Sequence, residues 1–264
     1  MIISDQHRFV FVHIPKCAGV SVKRALRPID DSEGGFSRIG EHPVLGRIHF
    51  AHIPLDDLAD NFPDVYAKFD RYRSVAIVRD PADRFISAIF QRLREFKGLQ
   101  QSQITPEVVE TEVRHVMGHL TSEPGRLSLE YVHFNRQSDY IFRDGARVVK
   151  SVFALRHMER AAEFIDACTG IRIVNERLNR STELRVGALR PFVRRLRGPY
   201  NRFVPLPMRQ KLRAKLQRAG IYGDIEKQRY IQPDGPICRF LRDYYQDDYH
   251  VFAECCRNEG AVHS

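Results

Sequence analysis

Phe9-Val-Phe-Val-His-Ile-Pro-Lys-Cys-Ala-Gly-Val-Ser21 is a run of apolar β-formers that ends in a tight turn and opens a helix. Residues Phe9 to His13 are apolar on both faces, as a central strand covered by helices on either side must be. The turn beyond it offers Lys16, a flexible Gly19, the Ser21 hydroxyl and a row of backbone N–H groups at a helix start. Those are the donors that hold a phosphate-like anion. A second stretch, Ser74-Val-Ala-Ile-Val-Arg-Asp-Pro-Ala-Asp-Arg-Phe-Ile-Ser87, repeats the design with Arg79, Arg84 and Ser87 after another buried strand. Two anion-gripping turns predict a ligand that carries two separate phosphate-like groups.

Working outward, Val20 to Leu26 has helical character and is stopped by Pro28. Asp30 to Gly46 lacks periodicity and reads as a loop. Arg47-Ile-His-Phe-Ala-His52 reads as a short strand, and Pro54 starts a helix with Asp56 and Asp57 in its first turn. Pro81 opens a helix whose Phe85, Ile86, Ile89, Phe90 and Leu93 form one apolar stripe. Thr105-Pro106-Glu107 opens another, extending to about Leu120. Val148 to Leu155 is a further strand, His157 to Cys168 a helix closed by Gly170, and Ile171 to Val174 a short strand. Met208 to Ala219 and Pro236 to Cys256 are two closing helices. Strands alternating with helices predict an α/β, P-loop-like three-layer fold: a central parallel sheet flanked by helices, with C-terminal helices added. In such sheets ligands sit at the carboxyl ends of the strands. Lys16, His52 and Arg79 each follow an expected strand, so topology gathers them at one edge.

The 264 residues are enough for one domain with a substantial core. Residues 1–264 are therefore expected to form a single domain, with the irregular 184–207 segment as an insertion on the acceptor side. The net charge of +9 is local: Arg185 to Arg218 holds eleven Lys and Arg and no acid, so the rest of the chain is slightly negative. That pattern argues for a local anionic partner and against general nucleic-acid binding. Cys17, Cys168, Cys238, Cys255 and Cys256 form no Cys-x-x-Cys pair and no zinc-type spacing. They read as reduced thiols, no metal is expected, and the apolar run Phe9–Ile14 is too short to span a bilayer. A cytoplasmic protein is the expectation.

A nucleotide triphosphate P-loop places its lysine after the second glycine and its Mg²⁺ acid directly after a strand. Here Lys16 precedes Gly19, and the second strand runs into Arg79. The two stretches instead resemble the two nucleotide-binding signatures of sulfotransferases that use 3′-phosphoadenosine 5′-phosphosulfate, most closely the carbohydrate branch that includes the uronyl 2-O-sulfotransferases. Weaker likenesses occur at Phe50-Ala-His-Ile-Pro54, Gln137-Ser-Asp-Tyr140, Leu178-Asn-Arg-Ser181 and Leu241-Arg-Asp-Tyr-Tyr-Gln-Asp-Asp-Tyr249. The resemblance implies that the amides of Ala18, Gly19, Val20, Ser21 and Val22 hold the 5′-phosphosulfate, with Cys17 in the same loop. It implies that Lys16 reaches the bridging oxygen, while Arg79 and Ser87 hold the 3′-phosphate. Ser87 lies three residues after Arg84, so both are expected to point at the same edge.

His52 is the expected general base for an attacking hydroxyl, expected on a carbohydrate or glycoconjugate, because imidazole titrates near neutrality. His49 is its rival, expected on the opposite face of an extended strand. His13 belongs to the strand and is expected to pack or hydrogen-bond beneath the loop. Cys17 has no assignable base or acid, which favours packing over nucleophilic chemistry. Gln137, Asn179 and Ser181 are read either as pocket-lining or as buried hydrogen-bonding residues. Taken singly, each turn also reads as an ordinary helix entry with solvated or surface-paired cations. Their joint occurrence, in order and each after a buried strand, favours a ligand. The competing functions are an atypical P-loop phosphotransferase and a non-catalytic module that binds nucleic acid or an anionic surface through Arg185–Arg218.

Overall fold

A computed structural model describes residues 1–122, 125–173, 182–184, 222–224, 230–232 and 234–257. Two compact units are present, one formed by Met1–Glu176 with Lys227–Ser264, the other by Arg177–Glu226. In the second unit the described residues are two antiparallel strands, Thr182–Leu184 and Tyr222–Asp224. The helix expected over Met208–Ala219, the basic run Arg185–Arg218, and Asn179 and Ser181 lie outside the described residues. All else below concerns the first unit.

In chain order its elements begin with β1 (Ile2–Ser4), β2 (Phe9–Val12) and α1 (Gly19–Leu26), followed by β3 (Ile39–His42) and β4 (Gly46–His49). Next come α2 (Leu55–Asn61), α3 (Pro63–Tyr66), α4 (Lys68–Arg71), β5 (Arg73–Val78), α5 (Pro81–Glu95) and α6 (Pro106–Ser122). β6 (Phe142–Arg143), β7 (Ala146–Arg147), β8 (Ser151–Ala154) and α7 (Met158–Thr169) follow, and α8 (Pro236–Tyr244) and α9 (Gln246–Arg257) close the unit. The central sheet has the order β1-β2-β5-β8. β2, β5 and β8 are parallel, and β1 adds an antiparallel edge. Every residue of β2 is buried, as is β5 from Ser74 onward. Burial on both faces is what their continuous apolar sequences demand. α1 and α5 both follow their strands directly. α5 lays Phe85, Ile86, Ile89 and Leu93 into the core, each contributing about 1.5–3 kcal/mol by leaving water. Among the described residues no helix is long and apolar enough to cross a membrane.

Several expectations are corrected. The loop expected over Asp30–Gly46 contains β3, which forms a hairpin with β4, and Gly46 takes the positive φ of 67° that the turn requires. β3 escapes sequence reading because one face is solvent-exposed and its stability comes from pairing. The strand expected through His52 ends at His49, and Phe50–His52 is a 3-10 turn outside the parallel sheet. Residues 171–173 form no strand, and Val174 lies outside the described residues. The single helix expected over Pro236–Cys256 is broken at Tyr245, whose φ and ψ of −108° and 29° leave the helical region.

Candidate functional site

The first turn stands where the sheet topology puts it, at the carboxyl end of β2. Lys16 and Ala18 both take left-handed backbone, with φ of 66° and 60°. Such alternation turns successive amides towards a common point. α1 starts with no side-chain cap and no acid in its first turn, so its opening amides and positive dipole end are left for an anion. Ser21 donates its own N–H to the Ala18 carbonyl at 3.2 Å. Val22 anchors the helix in the core, while Val20 is 62 % exposed. Gly19 is needed for close approach and not for flexibility: a Cβ there would lie 1.8 Å from Cδ2 of His13. Cys17 is buried, its Sγ 3.2 Å from Oε1 of Gln137, and burial pushes its pKa up to about 12. It is a packed thiol, as expected.

The second turn follows β5. Asp80 caps α5 by accepting from the Asp83 amide at 2.9 Å. Arg79 is held at both backbone atoms by the fully buried Gln137, which accepts from its N–H at 2.8 Å and donates to its carbonyl at 2.9 Å. Gln137 thus resolves to the hydrogen-bonding reading, joining Cys17 of one turn to Arg79 of the other. The guanidinium of Arg79 donates to the Lys16 carbonyl at 3.4 Å and pairs with Asp83 at 3.6 Å. Lys16 donates from Nζ to Oε1 of Gln91 at 2.6 Å. Asp83, Ser87 and Gln91 recur every fourth residue on one face of α5, so Ser87 lies between the partners of Arg79 and Lys16.

Arg84 departs from expectation. It is fully buried, donates to the carbonyls of His133 and Asn135 at 3.1 and 2.8 Å, and lies 3.5 Å from Asp248 of α9. Arg84 therefore braces the interior while the half-buried Ser87 faces the turns, and the two do not share an edge.

Four imidazoles gather beside Lys16. The ring of His52 lies 4.5 Å from that of His13, 4.3 Å from that of His49 and 5.4 Å from that of His133. His49 is not on the opposite face, because the 3-10 turn places residues three apart over one another. His13 packs beneath the turn against Gly19, as expected. Nδ1 of His52 lies 3.0 Å from the His13 carbonyl. A carbonyl only accepts, so Nδ1 carries the proton and Nε2 keeps its lone pair. The backbone carbonyl of His52 accepts from the buried Tyr140 hydroxyl at 3.2 Å. Burial, with the neighbouring imidazoles, holds His52 well below the usual histidine range. His133 falls to about 3 through burial and the charge of Lys16. Burial likewise brings Lys16 down to about 8, with Arg94 and Arg79 acting against Glu95. His133 was not singled out in the sequence, where it stands in an aperiodic stretch with no local signal. Among the described residues no group of three or more His, Cys, Asp or Glu is placed to hold a metal ion. His49 and His52 border a small open cleft with a cavity volume of about 20 Å³, room for about one water.

An α/β sheet edge with two donor-rich turns in mutual contact is an arrangement suited to an anionic ligand. The family model described as the sulfotransferase family matches residues 1–253. The chain belongs to that family, and sulfuryl transfer is its general activity. No curated protein and no solved structure gives a significant match.

Proposed function

We propose that the protein transfers a sulfuryl group from 3′-phosphoadenosine 5′-phosphosulfate to a carbohydrate hydroxyl. The observation that carries this reading is the contact between the two turns, in which the Arg79 guanidinium reaches the Lys16 carbonyl at 3.4 Å. One dianionic ligand can then meet both. The amides of Ala18, Gly19 and Val20 and the Ser21 hydroxyl bind its phosphosulfate end. Arg79 and Ser87 bind the 3′-phosphate, for which a planar guanidinium supplies paired donors. Donors and cations dominate this set, which suits two phosphate-like groups.

Transfer then follows from the charges. Nε2 of His52 takes the proton of the acceptor hydroxyl as its oxygen bonds to sulfur and the bond from sulfur to the phosphate oxygen breaks. Lys16 meets the charge that grows on the departing phosphate. Burial, with the three neighbouring imidazoles, leaves His52 neutral and able to accept. We read residues 1–264 as one sulfotransferase domain that carries the basic 184–207 segment as an insertion. The five free thiols favour the reducing cytosol as its compartment.

Thermal shift of the full chain with adenosine 3′,5′-bisphosphate and with ATP, both in chelator, tests the donor. The bisphosphate is expected to raise Tm strongly and ATP weakly or not at all. Stabilisation by ATP alone, and only with Mg²⁺, would instead support a phosphotransferase.

A further inference from the structure

Lys16 is tied to α5 through a chain of two side chains. Its Nζ donates to Oε1 of Gln91 at 2.6 Å, and Nε2 of the same carboxamide donates to both carboxylate oxygens of Glu95 at 2.9 and 2.8 Å. Chemistry fixes the direction of this chain: a carboxylate only accepts, so the carboxamide turns its NH2 to Glu95 and offers its oxygen to the ammonium. Gln91 and Glu95 stand one turn apart, continuing the face of α5 that carries Asp83 and Ser87. Glu95 closes α5, where an acid opposes the helix dipole, so helix stability alone does not account for it. The charged and titratable groups that act on Lys16 are Arg79 after β5, Arg94 and Glu95 of α5, Cys17 of its own turn, and His133 from the stretch after α6. Arg94 and Arg79 join burial in lowering Lys16, and Glu95 opposes them. His133, at about 3, and Cys17, at about 12, are both uncharged near neutrality. Glu95 is therefore the anion of this set, held off the lysine by one carboxamide.

We propose that Gln91 and Glu95 are positioning residues for Lys16, a carboxamide bridge that orients the ammonium and keeps it charged without pairing it directly to an acid. This rests on the sulfotransferase reading above, which gives Lys16 its task. A direct ion pair would cancel the lysine charge and set a carboxylate against the phosphosulfate. The bridge occupies one N–H of Lys16 and leaves two, with the net charge, for the oxygen on which negative charge grows.

NMR of the full chain labelled with ¹³C-lysine follows the titration of Lys16, whose signal is identified by its loss in Lys16→Arg. The wild-type midpoint is expected at about 8. Glu95→Gln removes the charge and keeps the shape, and is expected to move the midpoint down. Gln91→Glu puts an acid directly on the ammonium and is expected to move it up. A merely structural role would produce no such opposed pair of shifts. Calorimetric titration with adenosine 3′,5′-bisphosphate reads the second half of the proposal: Gln91→Glu is expected to weaken binding by about fivefold or more, through like charge near the 5′-phosphate. Midpoints unmoved in both variants, or a midpoint that rises in Glu95→Gln, overturn the proposal while bisphosphate binding preserves the sulfotransferase reading. Undiminished bisphosphate binding by Gln91→Glu overturns it too, since the interposed carboxamide would then be unnecessary. A wild-type chain that binds no bisphosphate would remove the sulfotransferase reading and this proposal with it.

Discussion

His52 and Lys16 are both displaced downward in pKa by burial, and the displacement has opposite consequences for a base and for a cation. A base that acts neutral gains range: His52 stays deprotonated as pH falls past the ordinary histidine value of about 6.5. A cation loses range, because Lys16, at about 8, sheds its proton as pH rises through that value. The kcat/KM profile of the free enzyme is therefore expected to hold flat below pH 6.5 on the acid side and to fall above about 8 on the alkaline side. Lys16→Arg should remove the alkaline limb, since guanidinium does not deprotonate in proteins. His52→Ala should cut kcat by about 10²–10⁴, the usual worth of a positioned base, while sparing bisphosphate binding. Steady-state rates across pH check all three, and an alkaline limb that persists in Lys16→Arg would detach it from Lys16.

Helix α1 is positioned by a missing side chain. With a Cβ only 1.8 Å from His13 Cδ2, Gly19→Ala must displace either the ring or the first turn of the helix. Overpacking of this kind costs about 1–3 kcal/mol. The displaced turn also carries the amides assigned to the phosphosulfate. Urea denaturation and bisphosphate titration of Gly19→Ala are expected to register both losses. In Gly19→Ala/His13→Ala, where the ring is gone, bisphosphate affinity should partly return. No recovery would mean that the ring is not what limits the approach. α5 works by dividing its faces: Phe85, Ile86, Ile89 and Leu93 turn inward, while Asp83, Ser87 and Gln91 face the two turns.

Across the whole molecule, Asp248 ties the last helix to the centre. Its carboxylate accepts from the amides of Gln137 and Ser138 at 2.8 and 2.9 Å and stands 3.5 Å from Arg84. Gln137 in turn holds Arg79, so α9 supports the second turn through two residues. Asp248→Ala removes the counter-ion of a buried guanidinium and the acceptor of two amides, and is expected to lower stability by about 3–5 kcal/mol in urea denaturation. A loss under 1 kcal/mol would show that Arg84 finds another partner. The central strands, the proline-opened helices and both turns were legible from sequence because each depends on local signals: continuous apolar runs, Pro at the first helical position, and cations placed directly after a strand. β1 was not legible, and neither were the β3–β4 hairpin and the break at Tyr245, because partners distant in sequence stabilise them. Residue type alone likewise could not separate Arg84 from Arg79, which share one signature but stand on either side of the helix start. Local chemistry thus determined that this chain builds two donor-rich turns at one sheet edge. Tertiary packing decided that Arg84 is buried while Arg79 reaches the first turn, and that His49 and His133 crowd His52, because burial and contact depend on what the rest of the fold brings near.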